Sequence, residues 1–517
     1  MVPTQRQAVY QLDIAIVGAG LAGLASAYAL AVSGHRVRIF ERSAGLPKAA
    51  GGLRVPPNAT KILDYWGLHE ELLRQSSKVK SNTFPDMATG EIIGHTEWAQ
   101  EMFKDSGGEF RCMRHEDLIQ MLYNHATTAG ARFTFNALVT GVSPAPAPLS
   151  PPPLTAQPPL SPLSPNPALV KPSITLSTHE VIQVDLIIGA DGPRSLVRSV
   201  VDEDAGEVEE TPTGLSVYTG VVDMDVVMND EHLRDLARVH FPVWMGDGRM
   251  AVGEDSPDTR FKPFPIGRDE GFAVHIYWPE ELPEDSPDYE LVPPTAIKYD
   301  RLDPRLVSFL KKTKSLTRMR WIERSPAEDW VDSSESIILI ARILTSRRVP
   351  SAFKPCAMHA SSDCLEAAFV LSTLLSHLRT RSQLPSLLYA YHDLRSPRSA
   401  RLHQVEMDNH MYLGLRAGEG KEERDAAMRT ARLATERGSG GSSDGEDDGE
   451  LERQWGEICE IWGYDAREDA EDWWVKWGLL RERASSMNDG ALGLDDSYGG
   501  AGQVNRFEPL EVRVNAS

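Results

Sequence analysis

A glycine-rich turn close to the N-terminus constrains the fold of this chain more than any other feature. Asp13–Val17 is a short apolar run of the kind buried in parallel sheets, and Gly18, Gly20 and Gly23 follow it at GxGxxG spacing. The alanine-rich segment Leu24–Val32 comes next. A buried strand that runs through such a turn into a helix predicts a Rossmann-type βαβ unit.

The residues of this turn have the chemistry of a dinucleotide site. Gly18 permits the tight turn, Gly20 lets the backbone approach a pyrophosphate, and Gly23 allows close packing of helix on strand. The amides and the dipole at a helix N-terminus favour phosphate groups. The second strand, Val37–Phe40, ends at Glu41, 18 positions after Gly23, where a carboxylate can accept hydrogen bonds from adenosine ribose hydroxyls. The turn alone leaves NAD and FAD open as ligands.

Later segments decide between the two cofactors. The chain contains GGLRVPPNA at Gly51–Ala59, DLIIGADGPRS at Asp185–Ser195, glycine-containing strand motifs within 244–253, and tyrosine, histidine and arginine residues within 391–398. These segments resemble, in order, the signatures of the FAD-dependent aromatic-ring monooxygenases, a family of salicylate hydroxylase-like flavoproteins that includes fungal members. The resemblance covers residues 10–405. It implies an α/β fold, in which a Rossmann-type FAD-binding domain carries an interleaved β-sheet substrate domain, and we expect a C-terminal helical tail.

The resemblance also implies roles for individual residues in binding FAD. Glu41 would bind the adenosine ribose and Gly52 would lie near the flavin, while Asp191 and Gly192 form the family's Asp-Gly motif at the cofactor site. Gly18, Gly20 and Gly23 would form the turn that binds the cofactor, with Gly20 next to the pyrophosphate.

The family places an arginine against the ribityl-phosphate region of FAD, in a segment that matches Arg114–Leu118 here. Counting back from Leu118 puts His115 at the usual arginine position and Arg114 one residue before it. We predict Arg114 as the ligand because a guanidinium suits phosphate, with an ordinary surface arginine as the alternative.

The implied reaction is oxygen transfer to a small molecule. FAD reduced by NAD(P)H reacts with O₂ to a C4a-hydroperoxide, which hydroxylates or epoxidises an aromatic or secondary-metabolite substrate, such as a polyketide-, terpenoid- or indole-like compound. Tyr218, on the predicted strand Leu215–Val222, is the first candidate for a polar catalytic residue of the substrate pocket, and Arg194 is the second. A tyrosine on a strand is also a common core residue, so that alternative stays open for Tyr218.

One family signature is missing. The strand Ile337–Ile340 should run into a Gly-Asp pair and a glycine-rich turn, which hold the ribityl chain and the flavin ring. No glycine occurs between 341 and 365, and we do not assign Asp363 as a substitute. Either the protein lacks this half of its flavin site, or residues 341–364 reflect an error in the gene model. Two alternative functions follow: a flavin-site remnant with weak or no FAD binding and no turnover, or a flavin oxidase or dehydrogenase.

Composition along the chain predicts its organisation. The segment 144–172 contains twelve prolines and interrupts two strands, which suggests a hairpin with a lengthened tip, and the acidic Gly/Ser-rich segment 438–450 suggests a flexible linker. The predicted divisions are FAD-binding regions at 10–82, 111–210 and 331–405, substrate-domain regions at 83–110 and 211–330, and a helical tail at 406–517.

Charge and cysteine usage exclude several classes of partner. A net charge of −21 over 517 residues argues against nucleic acid and anionic lipid. The four cysteines are scattered, which argues against a metal site or a disulfide framework. No apolar run approaches the ~20 residues of a membrane span, and the N-terminus lacks the apolar stretch of a signal peptide, so we expect a cytoplasmic protein. NADH versus NADPH, the substrate and the oligomeric state stay open.

Overall fold

The computed structural model describes residues 6–47, 51–98, 100–146, 170–202, 209–236, 241–255, 271–283, 285–325, 327–340, 355–436, 456 and 458–481. Three parts of the chain discussed above therefore lie outside the described residues: most of the proline-rich segment, the acidic segment 438–450, and residues 341–354 of the aberrant segment, 341–364, where the Gly-Asp signature is missing. The chain divides into two compact units, Met1–Asp472 and Trp473–Ser517. The divisions predicted from composition stay predictions.

Strands and helices alternate in the first half of the chain, and strands dominate its middle. The strands are β1 (Asp13–Val17), β2 (Arg36–Phe40), β3 (Gly52–Val55), β4 (Ser76–Lys78), β5 (Ser81–Pro85), β6 (Ile92–Glu97), β7 (Arg111–Arg114), β8 (Arg132–Thr134), β9 (Val139–Ser143), β10 (Ser173–Leu176), β11 (Val181–Gln183), β12 (Leu186–Gly189), β13 (Glu210–Asp223), β14 (Val243–Met245), β15 (Met250–Asp255), β16 (Gly271–Pro279), β17 (Tyr289–Val292), β18 (Leu316–Arg324) and β19 (Ile337–Leu339). The α-helices are α1 (Leu21–Val32), α2 (Pro57–Tyr65), α3 (His69–Gln75), α4 (Gln100–Ser106), α5 (His115–Thr128), α6 (Leu196–Val201), α7 (Met224–Asn229), α8 (Pro304–Lys312), α9 (Ala360–Ser376), α10 (Leu384–Leu413), α11 (Glu419–Glu436) and α12 (Ala466–Trp473).

A five-stranded parallel sheet forms the base of the first unit, in the order β19-β12-β1-β2-β8. Ile16 of β1 lies opposite Ile188 on one side and Ile39 on the other, and Ile188 in turn faces Ile338. All four isoleucines are fully buried, as expected for a parallel sheet that is covered on both faces. Helices α1 and α9 pack against each other. This arrangement confirms the predicted α/β fold with its N-terminal βαβ unit.

A small antiparallel sheet, β11-β10-β9, carries the proline-rich segment. Ser143 at the end of β9 lies opposite Ser173 at the start of β10. The intervening residues therefore connect two paired strand ends, which confirms the lengthened hairpin that the sequence predicted.

The third major layer is a six-stranded antiparallel sheet in the order β14-β15-β16-β13-β18-β17. Because side chains alternate between the two faces of a strand, neighbouring residues of β13 enter different apolar clusters. Tyr218 packs in one cluster with Trp244 and Phe309, whereas Val217 packs in the other with Tyr277. The β-rich region that we expected after residue 211 is this sheet.

The C-terminal part of the first unit is helical, as predicted. Within it, Trp462 stacks among aromatic side chains of the main body, with its ring centroid 5.5 Å from that of Trp98 and 5.6 Å from that of Phe110. The Lys61 ammonium donates to the Gly463 carbonyl at 2.8 Å. Among the described residues, no helix combines the length and the apolar character that crossing a membrane would require.

Candidate flavin site

The glycine turn lies at the carboxyl end of β1, where α1 begins. Gly18 has a φ of +100°, and a Cβ there would come 2.4 Å from the Ala190 carbonyl oxygen. A Cβ on Gly23 would come 2.0 Å from the Gly18 carbonyl oxygen. Both positions therefore require glycine because backbone atoms crowd them.

Gly20 differs from these two glycines. A Cβ on Gly20 would have no atom of the described protein within 4 Å, and its φ of −73° suits any residue. The fold therefore does not require a glycine here. The open space lies at the N-terminal end of α1, where amides and dipole favour an anionic group, and this is the place predicted for the pyrophosphate.

Glu41 directs its carboxylate toward the same turn. It follows β2 directly and is only 7% exposed. One carboxylate oxygen accepts a hydrogen bond from the Ala19 amide at 2.9 Å, and the other accepts one from the Ser43 amide at 2.9 Å. The structure thus brings Glu41 to the glycine turn, and its contact with a ribose stays a prediction.

The Asp-Gly motif forms the turn that follows β12. The Asp191 carboxylate accepts hydrogen bonds from the amides of Leu196 at 2.7 Å and Val197 at 3.2 Å, so that it caps the start of α6. Burial raises the pKa of Asp191. The next residue, Gly192, has a φ of +85°. This turn packs against the glycine turn, because a Cβ on Gly18 would also come 3.0 Å from the Asp191 Cα.

A second group of predicted residues lies on the short sheet β3-β7-β4. Gly52 is paired with Arg114 across β3 and β7. Arg114 precedes the first residue of α5 and forms an ion pair with Glu116, and 27% of its side chain is exposed. The His115 amide donates to the Gly51 carbonyl at 3.2 Å. The choice between Arg114 and His115 as a phosphate ligand stays open.

The strand β3 touches the six-stranded sheet through Gly51, directly before its first residue. Gly51 has a φ of +106°, and a Cβ there would come 2.4 Å from the Thr219 hydroxyl and 3.0 Å from His275 Cε1. Both of these side chains are buried. The Thr219 hydroxyl has no hydrogen-bond partner among the described residues. Sequence analysis missed Thr219 and His275, because nothing in an alternating pattern tells which face of a strand will meet the other domain.

The two predicted catalytic residues lie elsewhere. Tyr218 is fully buried on the face of β13 opposite to Thr219, and burial together with the nearby Glu280 carboxylate raises the pKa of its phenol. The side chain of Arg194 is 65% exposed and forms an ion pair with Asp288 at 3.0 Å. The structure therefore does not bring either residue to the Gly51 junction, and their catalytic roles stay predictions.

The chain that enters α9 is held by side chains from several elements. The Tyr277 hydroxyl donates to the carbonyls of Pro355 at 3.0 Å and Cys356 at 3.1 Å, and the Arg54 guanidinium also donates to the Cys356 carbonyl. The Ser361 hydroxyl donates to the Arg54 carbonyl at 2.6 Å. These contacts fix the described end of the aberrant segment against β3 and β16.

The first turns of α9 contain a buried ion cluster. Arg395 of α10 donates to Asp363 at 2.8 Å and to Glu366 at 2.7 Å, and Arg398 donates to Glu366 at 3.0 Å. Burial alone would raise the pKa of Glu366, but Arg398 and Arg395 outweigh it and lower that pKa to about 2. Asp363 is thus engaged by an arginine, which agrees with leaving it unassigned to the flavin.

The residues of the glycine turn, together with Glu41, fit the adenosine diphosphate half of FAD. They combine a helix N-terminus, an open approach at Gly20 and a carboxylate at the end of β2. The residues before α9 include no glycine that would permit the close backbone approach expected for the flavin ring. In the part of the chain that the structure describes, no cluster of His, Cys, Asp and Glu side chains is suited to bind a metal ion.

Comparisons with known proteins agree with this assignment. A family model for the FAD binding domain matches residues 11–146. The FAD-dependent monooxygenase OpS4 of Beauveria bassiana is 21% identical over 422 residues, which cover 81% of this chain and 89% of that protein. The 3-amino-4-hydroxybenzoate 2-monooxygenase of Streptomyces cremeus is 25% identical over 394 residues, which cover 76% of this chain and 85% of that protein.

The fold is also similar to a solved structure of this class. A substrate complex of a salicylate hydroxylase superposes with a TM-score of 0.62 at 17% identity, over 89% of this chain and 97% of that one. The cofactor turn, the relatives and the fold agree, and the chain is similar, as its motifs predicted, to FAD-dependent monooxygenases and salicylate hydroxylase-like oxidoreductases.

Proposed function

We propose that this protein is an FAD-dependent monooxygenase that uses NAD(P)H and O₂ to hydroxylate or epoxidise an aromatic or secondary-metabolite small molecule. The observation that carries the proposal is the glycine turn with its open approach at Gly20 and the Glu41 carboxylate beside it. Two of the similar proteins are named for the oxidation of hydroxybenzoates, which supports an electron-rich aromatic ring as the substrate class.

The residues of this chain would bind and orient the cofactor. The amides at the start of α1 would hold the pyrophosphate at Gly20, and Glu41 would hold the ribose hydroxyls. Bound FAD would supply the redox chemistry and oxygen activation. Arg114, at the end of β7, would add positive charge on the side of β3.

The junction between β3 and the six-stranded sheet supports a site that excludes water. Thr219 and His275 are buried where Gly51 meets β13 and β16, and Tyr277 lies on the same face of β16 as His275. A reactive reduced flavin needs such a dry surrounding, because water promotes unproductive loss of the oxidising intermediate. We therefore add Thr219 to Tyr218 and Arg194 as a candidate for a polar group that faces the substrate.

The visible spectrum of the purified protein and its oxidation of NADH and NADPH test this proposal. We expect bound flavin, and nucleotide oxidation that is stimulated by hydroxylated aromatic compounds and yields an oxygenated product. Thr219→Val keeps the shape of the side chain and removes its hydroxyl, so a loss of substrate-stimulated oxidation in this variant would support a role of that hydroxyl in the pocket. Nucleotide oxidation with no substrate dependence and no oxygenated product would instead identify a flavin oxidase or dehydrogenase.

A second candidate function is supported by the aberrant segment. The absence of glycine between 341 and 365 favours a remnant that binds FAD weakly and does not turn over. A colourless protein that binds ADP but not FAD would establish this alternative. Action in the cytoplasm is also a proposal, and fractionation of the source cells tests it.

A further inference from the structure

A carboxylate of the chain itself caps the N-terminal end of α9. Glu406, on α10, accepts hydrogen bonds from the Met358 amide at 2.9 Å and from the His359 amide at 3.3 Å, through the same oxygen. Its side chain is buried, with 4% exposure. These two amides precede the first residue of a helix of 17 residues, so the positive end of the α9 dipole already has an anionic partner.

The position of this helix end relates it to the dinucleotide turn. β19 and β1 run parallel in one sheet, so their carboxyl ends lie at the same edge. α1 begins at this edge and packs against α9. The C-terminal end of α9 lies at the opposite edge, because the Tyr10 amide, before β1, donates to the Leu378 carbonyl just after α9, so α9 also begins at the carboxyl edge. Ligands of open α/β sheets bind outside the carboxyl ends of the strands. A dinucleotide with its ADP half on α1 therefore has the start of α9 as the nearby second helix end for polar groups of its other half.

His359 provides an independent sign that a polar group can bind at this helix end. It is the residue before α9, only 1% exposed, and burial lowers the pKa of its ring to about 4, so it is neutral at pH 7. Its Nδ1 has no hydrogen-bond partner among the described residues. Buried polar atoms are nearly always paired, so such an atom at a helix N-terminus indicates a position where a ligand atom is accommodated.

Other charged groups lie near this end of α9, and Arg54 among them donates to the Cys356 carbonyl. Asp363 and Glu366 are bonded to Arg395 and Arg398 within the ion cluster of α9 and α10. The role of Glu406 toward the Met358 and His359 amides is therefore distinct from the pairing that holds the two helices together.

We propose that Glu406 is a built-in occupant of the α9 N-terminus that competes with the flavin half of FAD. This inference rests on the proposed function for the presence of FAD, and it adds that the chain lowers its own affinity for the flavin half. FAD must displace the carboxylate from the two amides, whereas ADP, which reaches only the α1 turn, does not.

Titration of the full chain with FAD and with ADP tests this competition. The variants are Glu406→Gln, Glu406→Ala and, as a control, Asp408→Asn, which changes an exposed carboxylate two positions along the same helix. FAD binding is followed by flavin fluorescence and ADP binding by calorimetry, and thermal melting confirms that each variant is folded. We expect the ratio of the ADP Kd to the FAD Kd to rise about twofold to fivefold in both Glu406 variants, the range expected for freeing a helix N-terminus. The control should leave the ratio unchanged.

An unchanged or lower ratio in folded Glu406→Gln would overturn the inference, because Glu406 would then only fix the turn. If Glu406→Ala does not fold, Glu406→Gln alone decides the outcome. Failure of the proposed function has another signature: no variant, including the wild type, binds ADP or FAD. That result also rejects competition between Glu406 and FAD, since FAD then does not bind even when the carboxylate has been removed.

Discussion

A methyl group added at Gly20 separates what the fold requires from what the cofactor requires. In Gly20→Ala the new methyl meets no described atom within 4 Å, and the φ of −73° suits alanine. Replacing glycine stabilises a protein by about 0.4–1 kcal/mol, because the unfolded chain loses conformational freedom. Gly20 is the N-cap of α1, where alanine is less favourable than glycine, so this gain is offset and the net change in stability is small. The methyl would stand between the start of α1 and the pyrophosphate. Losing one charge-assisted hydrogen bond there costs about 1.5–3 kcal/mol, or roughly tenfold to more than a hundredfold in FAD affinity.

Gly23→Ala is the opposite case. Its methyl would come 2.0 Å from the Gly18 carbonyl oxygen, so the backbone itself must move. Overpacking of this kind costs about 1–3 kcal/mol or more in folding stability. Gly420→Ala serves as a neutral control, because Gly420 lies in α11 and a Cβ there also has no neighbour within 4 Å.

The assay combines thermal melting without ligand and titration with FAD and ADP for all three variants. We expect Gly20→Ala to melt close to the wild-type temperature and to lose affinity for both ligands, since both carry the pyrophosphate. Gly23→Ala should melt lower, and Gly420→Ala should bind as the wild type does. Wild-type affinity of Gly20→Ala for both ligands would refute the placement of the pyrophosphate at this turn.

Four further predictions concern other parts of the chain. Glu41→Ala should weaken FAD binding by about 1.5–3 kcal/mol for each ribose hydrogen bond lost, and an unchanged Kd in a flavin titration would exclude Glu41 as the ribose ligand. The pKa of Glu366 is lowered to about 2 from 4.5, so its ionised form stabilises the fold above pH 5 and this contribution is lost as the pH falls toward 2. The loss in the free energy of unfolding is on the order of 3 kcal/mol. This pH-dependent loss should be absent in Glu366→Gln when unfolding is measured against pH. Deleting 146–170 should lower the melting temperature by less than about 5 °C, because loop closure depends only weakly on length, and a larger drop would show that the segment packs. Replacing 341–364 with a family segment that contains Gly-Asp should tighten FAD binding and raise NADPH-dependent oxygen use relative to the unmodified chain, and an unchanged FAD Kd with unchanged oxygen use would contradict this.

Local patterns predicted the elements that position the glycine turn, Glu41 and Asp191. The glycine spacing and the apolar run before it specify structure over only a few neighbouring residues, so the βαβ unit could be predicted from them. For the same reason the positions of Glu41 at the end of β2 and of Asp191 after β12 could be predicted. The hairpin around the proline-rich segment was predictable for the same reason. Its strands lie close in sequence to the interruption, and Ser143 does pair with Ser173.

Long-range packing decided the rest. Alternation along β13 was evident, but which face meets β3 depends on how two sheets dock, and the docking turned Tyr218 into the core and Thr219 toward Gly51. The Glu406 carboxylate bonds to amides 48 and 47 positions earlier in the chain, and no local pattern encodes this contact. The sequence by itself determined the parallel sheet and the glycine turn, because short-range periodicity and backbone sterics specify them, and its separated motifs indicated the family that the chain resembles. Only the tertiary structure decided which polar groups face the junction between Gly51 and the six-stranded sheet, and which carboxylate caps the N-terminus of α9. The reason is that side-chain direction and helix capping are set by the elements that pack against them.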